Sequence, residues 1–129
     1  MISDTLYASG MWDIEVTDQF LDWYRGGLAH ADLVAIDAVI GMLEHGGPTL
    51  GRPLVDHITT SRHQRMKELR PLGTDIRILF CFDPRRTAIL LLGGDKAAAW
   101  EAWYVENIRV ADALYDEHVQ ALRKEGGLP

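Results

Sequence analysis

Cysteine is all but missing from this chain of 129 residues: Cys81 stands alone. No disulfide can form within it, and that usage fits a reducing cytoplasm rather than an oxidising compartment. Long apolar runs are missing too. The longest, Ala88 to Leu92, falls far below the ~20 residues of a membrane helix. The opening MISDTLYASGMWD has early acids and neither a basic nor an apolar stretch, so a secretory signal is not expected. The five histidines (His30, His45, His57, His63, His118) show no zinc spacing, so no metal or other cofactor is expected. Gly93-Gly94-Asp95-Lys96 lacks the Walker pattern and reads as a strand-to-helix turn with Asp95 as N-cap. Internal repeats, linkers and low-complexity segments are absent.

Basic charge is scarce except in one island. Residues 52 to 96 hold nine of the thirteen Lys/Arg (Arg52, Arg62, Arg65, Lys67, Arg70, Arg77, Arg85, Arg86, Lys96) against five acids, a net of +4. The remainder holds four basic groups against fourteen acids, a net of −10, which together make the overall −6. Such an island points to an anionic ligand, with RNA the leading candidate, while a pI near 5.2 restricts any such site to a local patch. A solvated hairpin that is merely basic is the plainer alternative.

What remains is the composition of an ordinary globular protein, 47% hydrophobic and 25% charged, with the length of one domain spanning 1–129. Trp12-Asp13-Ile14-Glu15-Val16 alternates like a half-buried strand. Thr17 reads as an N-cap before Phe20, Leu21, Trp23 and Tyr24, and Gly26-Gly27 ends that helix. Leu33, Ile36, Val39, Ile40 and Leu43 repeat at helical spacing up to Gly46-Gly47-Pro48. A loop is predicted from Gly46 to about Ser61. Strands follow at His63–Arg70, Asp75–Asp83 and Thr87–Leu92, and a long helix runs from about Ala97 to Glu125. The predicted fold is therefore α+β: two N-terminal helices and a long C-terminal helix packed on a small, mainly antiparallel sheet, in the order β-α-α-β-β-β-α.

The turn decides which side chains meet. A three-residue Pro71-Leu72-Gly73 turn puts Arg70 opposite Thr74, and hence Lys67 opposite Arg77 and Arg65 opposite Leu79. Lys67 and Arg77 would then be neighbours on a sheet face turned away from the core, two cations reconciled by solvent or an anion. A two-residue turn would instead put Glu68 opposite Arg77 as an ordinary salt bridge. RNA cleavage through the 2′-hydroxyl needs a base, an acid and a clamp for the pentacoordinate phosphorane. Arginine suits the clamp, and a lysine whose pKa is depressed by a neighbouring cation suits proton transfer. His63 could act as a base or be a plain surface histidine. Trp100, Trp103 and Tyr104 could stack on bases, although core packing suits the tryptophans better.

Lys67-Glu68-Leu69-Arg70, then Asp75 to Phe80, then Phe82-Asp83-Pro84, then Leu90 to Lys96, resembles the RelE/HigB group of bacterial type II toxins, over roughly residues 12 to 122. The resemblance implies a ribosome-dependent messenger RNA endoribonuclease, free of metal, acting on ribosome and message in the cytoplasm, away from any membrane. It also implies a partner, a helix-turn-helix antitoxin of the HigA kind. Catalytic residues carried over are Lys67, Arg70, Arg77 and Lys96, and Tyr104 lies near the group's base-stacking aromatic; Arg65 and His63, read from the basic strand itself, are expected to bind substrate with it. Glu68 falls where the group often has a lysine. The alternatives are a non-catalytic gyrase poison of the ParE kind and a degenerate module that only binds its antitoxin.

Overall fold

The computed structural model describes residues 11–97 and 99–126. Most of the opening segment read for a secretory signal lies outside the described residues. The elements run β1 (Ile14–Val16), α1 (Asp18–Arg25), α2 (His30–Gly46), a single 3-10 turn (Gly47–Thr49), β2 (Val55–His57), β3 (Lys67–Leu69), β4 (Ile76–Phe82), β5 (Ala88–Asp95) and α3 (Trp100–Lys124). The predicted α+β class and element order stand, with β2 added inside the segment predicted to be a loop.

Thr17 caps α1 as its sequence predicts, accepting a hydrogen bond from the Phe20 N–H at 3.0 Å. The Tyr24 hydroxyl donates to Asp37 at 2.6 Å, tying α1 to α2. Asp95 does not cap α3. It is the last residue of β5, and its carboxylate accepts from Ala97 N at 2.8 Å, leaving Ala99 as a cap without a side-chain bond.

One five-stranded sheet has the order β1-β5-β4-β3-β2, with β1 parallel to β5 and every other neighbour antiparallel. Alternation along β4 sends Ile76, Ile78, Phe80 and Phe82 to a core shared with Phe20 of α1 and Ile36, Val39, Ile40 and Leu43 of α2. The other face, which the sequence predicts to be open, is covered. Leu79, Cys81, Ile89, Leu91 and Leu92 pack there against Ile108, Ala111 and Tyr115 of α3. Helices therefore lie on both faces of the sheet. Burying side chains such as Phe80, Leu79 or Leu91 stabilises the fold by roughly 1.5–3 kcal/mol each before entropy is counted.

Gly93 and Gly94 belong to this layering. They point to opposite faces, and a Cβ at Gly93 would strike the Trp23 ring of α1 while one at Gly94 would strike the Trp103 ring of α3. The glycine pair is a slot for two indoles rather than a phosphate loop.

The β3–β4 register also departs from expectation. Lys67 pairs with Phe80, Glu68 with Leu79 and Leu69 with Ile78. The connection is longer than three residues, so Lys67 and Arg77 are not neighbours. They lie on opposite faces of the sheet, because Lys67 shares the side of Phe80 and Arg77 the side of Leu79.

Candidate functional site

The residue that organises the basic island is an acid. Glu68, at the centre of β3, points to the α3 side and is only 4% exposed. Buried carboxylates need partners, and Glu68 has three. Arg70 donates to its Oε2 from Nη2 at 2.9 Å and from Nε at 3.3 Å. The Tyr104 hydroxyl, from the first turns of α3, donates to its Oε1 at 2.6 Å. Arg77, one position diagonal across the hairpin on the same face, holds its Nε 3.7 Å from that oxygen. Arg70 also reaches Asp56 Oδ2 at 3.2 Å, and Arg52 caps that carboxylate at 2.7 Å.

β3 and the residue after it supply Glu68 and Arg70, β4 supplies Arg77 and α3 supplies Tyr104. Arg77 lies opposite Gly94, the glycine that admits Trp103, so the indole and the guanidinium share one side of the sheet. Trp103 and Trp100 in turn meet the Tyr104 ring edge-on, at 5.2 and 6.3 Å between centroids. Arg77 donates from Nη1 to the Ile76 carbonyl at 2.7 Å, while its Nε is buried without a hydrogen-bond acceptor. Among the described residues no other buried side-chain nitrogen or oxygen lacks a partner. An unmet buried donor costs about 1–3 kcal/mol, so the fold holds Arg77 Nε beside Glu68 at a cost in stability. Burial, reinforced by the hydrogen bond to Glu68 and its charge, pushes Tyr104 up to about 12, so its proton is held at neutral pH. The hydrogen bond to Glu68 likewise raises Arg70, which stays charged.

Of the residues singled out in the sequence, Arg70, Arg77 and Tyr104 thus meet at one carboxylate. Lys96 follows the end of β5, its backbone N–H bonded to the Asp75 carbonyl, two residues past the Gly94 that faces Arg77. Lys67 is elsewhere: its ammonium lies over the Phe82 ring, 5.4 Å from the centroid, on the other face. Arg65 is exposed and lines the same cavity as Lys67. His63 contacts Asp116 at 2.9 Å. Asp116 is twelve residues beyond Tyr104 on α3, about 18 Å along the helix. Sequence reasoning does not reach Glu68 and Asp56 as site residues. For Glu68 the signal is the alternative hairpin pairing with Arg77; Asp56 sits in a strand too short to show a period.

This α+β arrangement, a small mixed sheet with helices on both faces, is the fold of a RelE/HigB-type toxin. Similarity to known proteins agrees. Residues 26–116 match the family described as Phage derived protein Gp49-like, and the chain belongs to that family. It is 59% identical over 80 residues to "Putative toxin HigB3" of Mycobacterium tuberculosis, covering 62% of this chain and 70% of that protein. It is 44% identical over 111 residues to "Putative toxin HigB2" of the same organism, covering 84% of this chain but only 54% of that one. Among solved structures, the YoeB dimer from Staphylococcus aureus shares the fold at a TM-score of 0.50 and 12% identity, covering 63% of this chain and 92% of that one. Among the described residues, no helix is long and apolar enough to cross a membrane.

Proposed function

We propose that this chain is the toxin of a toxin–antitoxin pair and cleaves messenger RNA on the ribosome, with Glu68, Arg70, Arg77 and Tyr104 as its working groups. The observation that carries the reading is the convergence of two guanidiniums and a protonated tyrosine on one buried carboxylate. Glu68 takes the proton of a 2′-hydroxyl, whose oxygen attacks the adjacent phosphorus. Arg77 and Arg70 face the charge that builds on the phosphorane oxygens, the role to which the unmet Arg77 Nε–H lends itself. Tyr104 protonates the departing 5′-oxygen, leaving a 2′,3′-cyclic phosphate and a 5′-hydroxyl. Lys96 adds positive charge at the strand end. Lys67 has no part in this step because the sheet separates it from Arg77.

Placement on the ribosome puts the chain in the cytoplasm. A helix-turn-helix antitoxin of the HigA kind would silence it by covering the α3 side of the sheet. The test is expression without the antitoxin, followed by mapping of message 5′ ends. Wild type should arrest growth and cut translated messages. Arg77→Ala and Glu68→Gln, checked for folding by circular dichroism, should reduce cutting by about 10²–10⁴-fold. Growth arrest with intact messages would instead point to a gyrase poison, and unaffected growth to a module that only binds its antitoxin.

A further inference from the structure

Of the basic residues outside the Glu68 cluster, three that lie together have no acid of their own. Among the described residues, Arg65, Lys67 and Arg86 have no carboxylate within ion-pair distance, yet they line one cavity of about 290 Å³ at the other end of β4. The acid in its wall, Asp83, is fully committed. Its Oδ1 accepts from the backbone N–H groups of Arg85 and Thr87, and its Oδ2 from Arg85 Nε, with His118 at 2.9 Å. The cations are held rather than loose. Lys67 lies over Phe82, and Arg86 lies 5.0 Å above the Trp12 ring with its backbone at φ 67°, a conformation uncommon outside glycine. Burial, aided by nearby Arg65, holds the Lys67 ammonium below its ordinary pKa. Three positive groups gathered around a concavity whose one carboxylate is bonded elsewhere are stable only if an anion or solvent separates them.

The cavity is not isolated. His57 lines it and also lines a larger groove of about 990 Å³ between the 57–62 segment and α3, whose walls include Trp100, Tyr104 and Val105. Trp100 is 54% exposed and Val105 68% exposed, so that groove offers flat apolar surface directly beside the Glu68 cluster. Bases stack on such surfaces, and phosphates follow cations.

We propose that Arg65, Lys67 and Arg86 form a phosphate subsite for a single RNA strand, which runs from Trp100 past Tyr104 and over His57. The strand would thus be held about 17 Å, the length of five β residues, from the Arg77 end of β4. This deepens the RNA-cleaving reading and rests on it for the identity of the ligand; carboxylates of a protein partner are the competing occupant.

The experiment measures binding of a short fluorescein-labelled uridine-rich RNA carrying 2′-O-methyl groups, which cannot be cleaved, to the full chain over a range of salt. Arg65→Gln with Arg86→Asn leaves the core untouched, since both side chains are exposed and asparagine tolerates the Arg86 backbone. This double variant should bind about tenfold more weakly, and its salt slope should fall by about 0.7 for each phosphate no longer neutralised. Lys67→Gln should act in the same direction. Wild-type affinity and slope in both variants would overturn the subsite, even if Arg77→Ala still abolished message cutting. Loss of RNA binding in both, with no message cut by wild type, would leave the subsite standing and remove the enzyme. Unchanged RNA binding with lost capture of the cognate antitoxin would assign the cations to a protein partner and overturn the proposal.

Discussion

Glu68 and Lys67 are adjacent in sequence and serve opposite sides of the molecule, which shows how much one residue of register decides. A buried carboxylate with bonds from Arg70 and Tyr104 is costly to break from either side, because the remaining partner loses its counter-charge or its acceptor. Tyr104 gives that coupling a measurable signature. Its folded pKa, pushed up to about 12 by burial and then by Glu68, lies above the ordinary tyrosine value near 10. A raised value stabilises the protonated form, so the contribution is complete below pH ~10 and is lost as pH rises towards 12. Urea unfolding of wild type and Tyr104→Phe should therefore differ by about 1.5 kcal/mol at neutral pH, narrowing through the alkaline range. A gap that does not change with pH would mean that the hydroxyl does not bond to Glu68 in solution.

The hairpin that ends β4 is where the sequence motif Phe82-Asp83-Pro84 shows its purpose. Asp83 ties the turn to itself through Arg85 and Thr87 and ties it to α3 through His118, with its side chain fully buried. Burial alone would raise its pKa, but the bonds from His118, Arg85 and Thr87 outweigh that and hold it below the usual carboxylate range. Its stabilisation is therefore present above the ordinary carboxylate pKa and lost as pH falls through the lowered one. Asp83→Asn should cost about 3 kcal/mol at neutral pH in thermal unfolding, and its gap to wild type should shrink as pH drops. An unchanged melting temperature would show the hairpin to be held by its apolar faces alone.

Much of this architecture is legible in the sequence because it is written in periodicities longer than a turn. α1, α2, α3, β4 and β5 each carry enough apolar repeats to identify themselves, and Thr17 announces its cap. The strand hidden from sequence reasoning, Val55–His57, is three residues long behind Pro53 and shows no period. The second face of β4 reads as open because Arg77 draws attention away from Leu79 and Cys81, although Ile89, Leu91 and Leu92 already call for a second apolar cover. The site is obscured for the same reason as the register. Residues 71–75 carry no periodic signal, so the pairing that puts Glu68 diagonal to Arg77, and Lys67 behind the sheet, emerges only from three-dimensional packing.

At the scale of the whole molecule the charge division sets how the chain must meet its substrate. A +4 island sits within a remainder of −10, so a polyanion approaching at random is repelled over most of the surface and drawn to one region. At ~0.15 M salt the Debye length is about 8 Å, so the island acts only on a strand already brought close. The Glu68 carboxylate is also covered by Tyr104, so on the proposed reading the first turns of α3 would have to yield for a message to reach it. Both features favour a substrate delivered and held by something larger. Purified chain should therefore cut a message on translating ribosomes at least about 100-fold faster than the same message alone, since positioning by a carrier supplies gains of that order and more. Primer-extension mapping of one transcript, with and without ribosomes, at equal protein and salt, reads the ratio directly. Equal rates would mean that the basic island recruits RNA unaided against the acidic surface, and ribosome dependence would have to be abandoned.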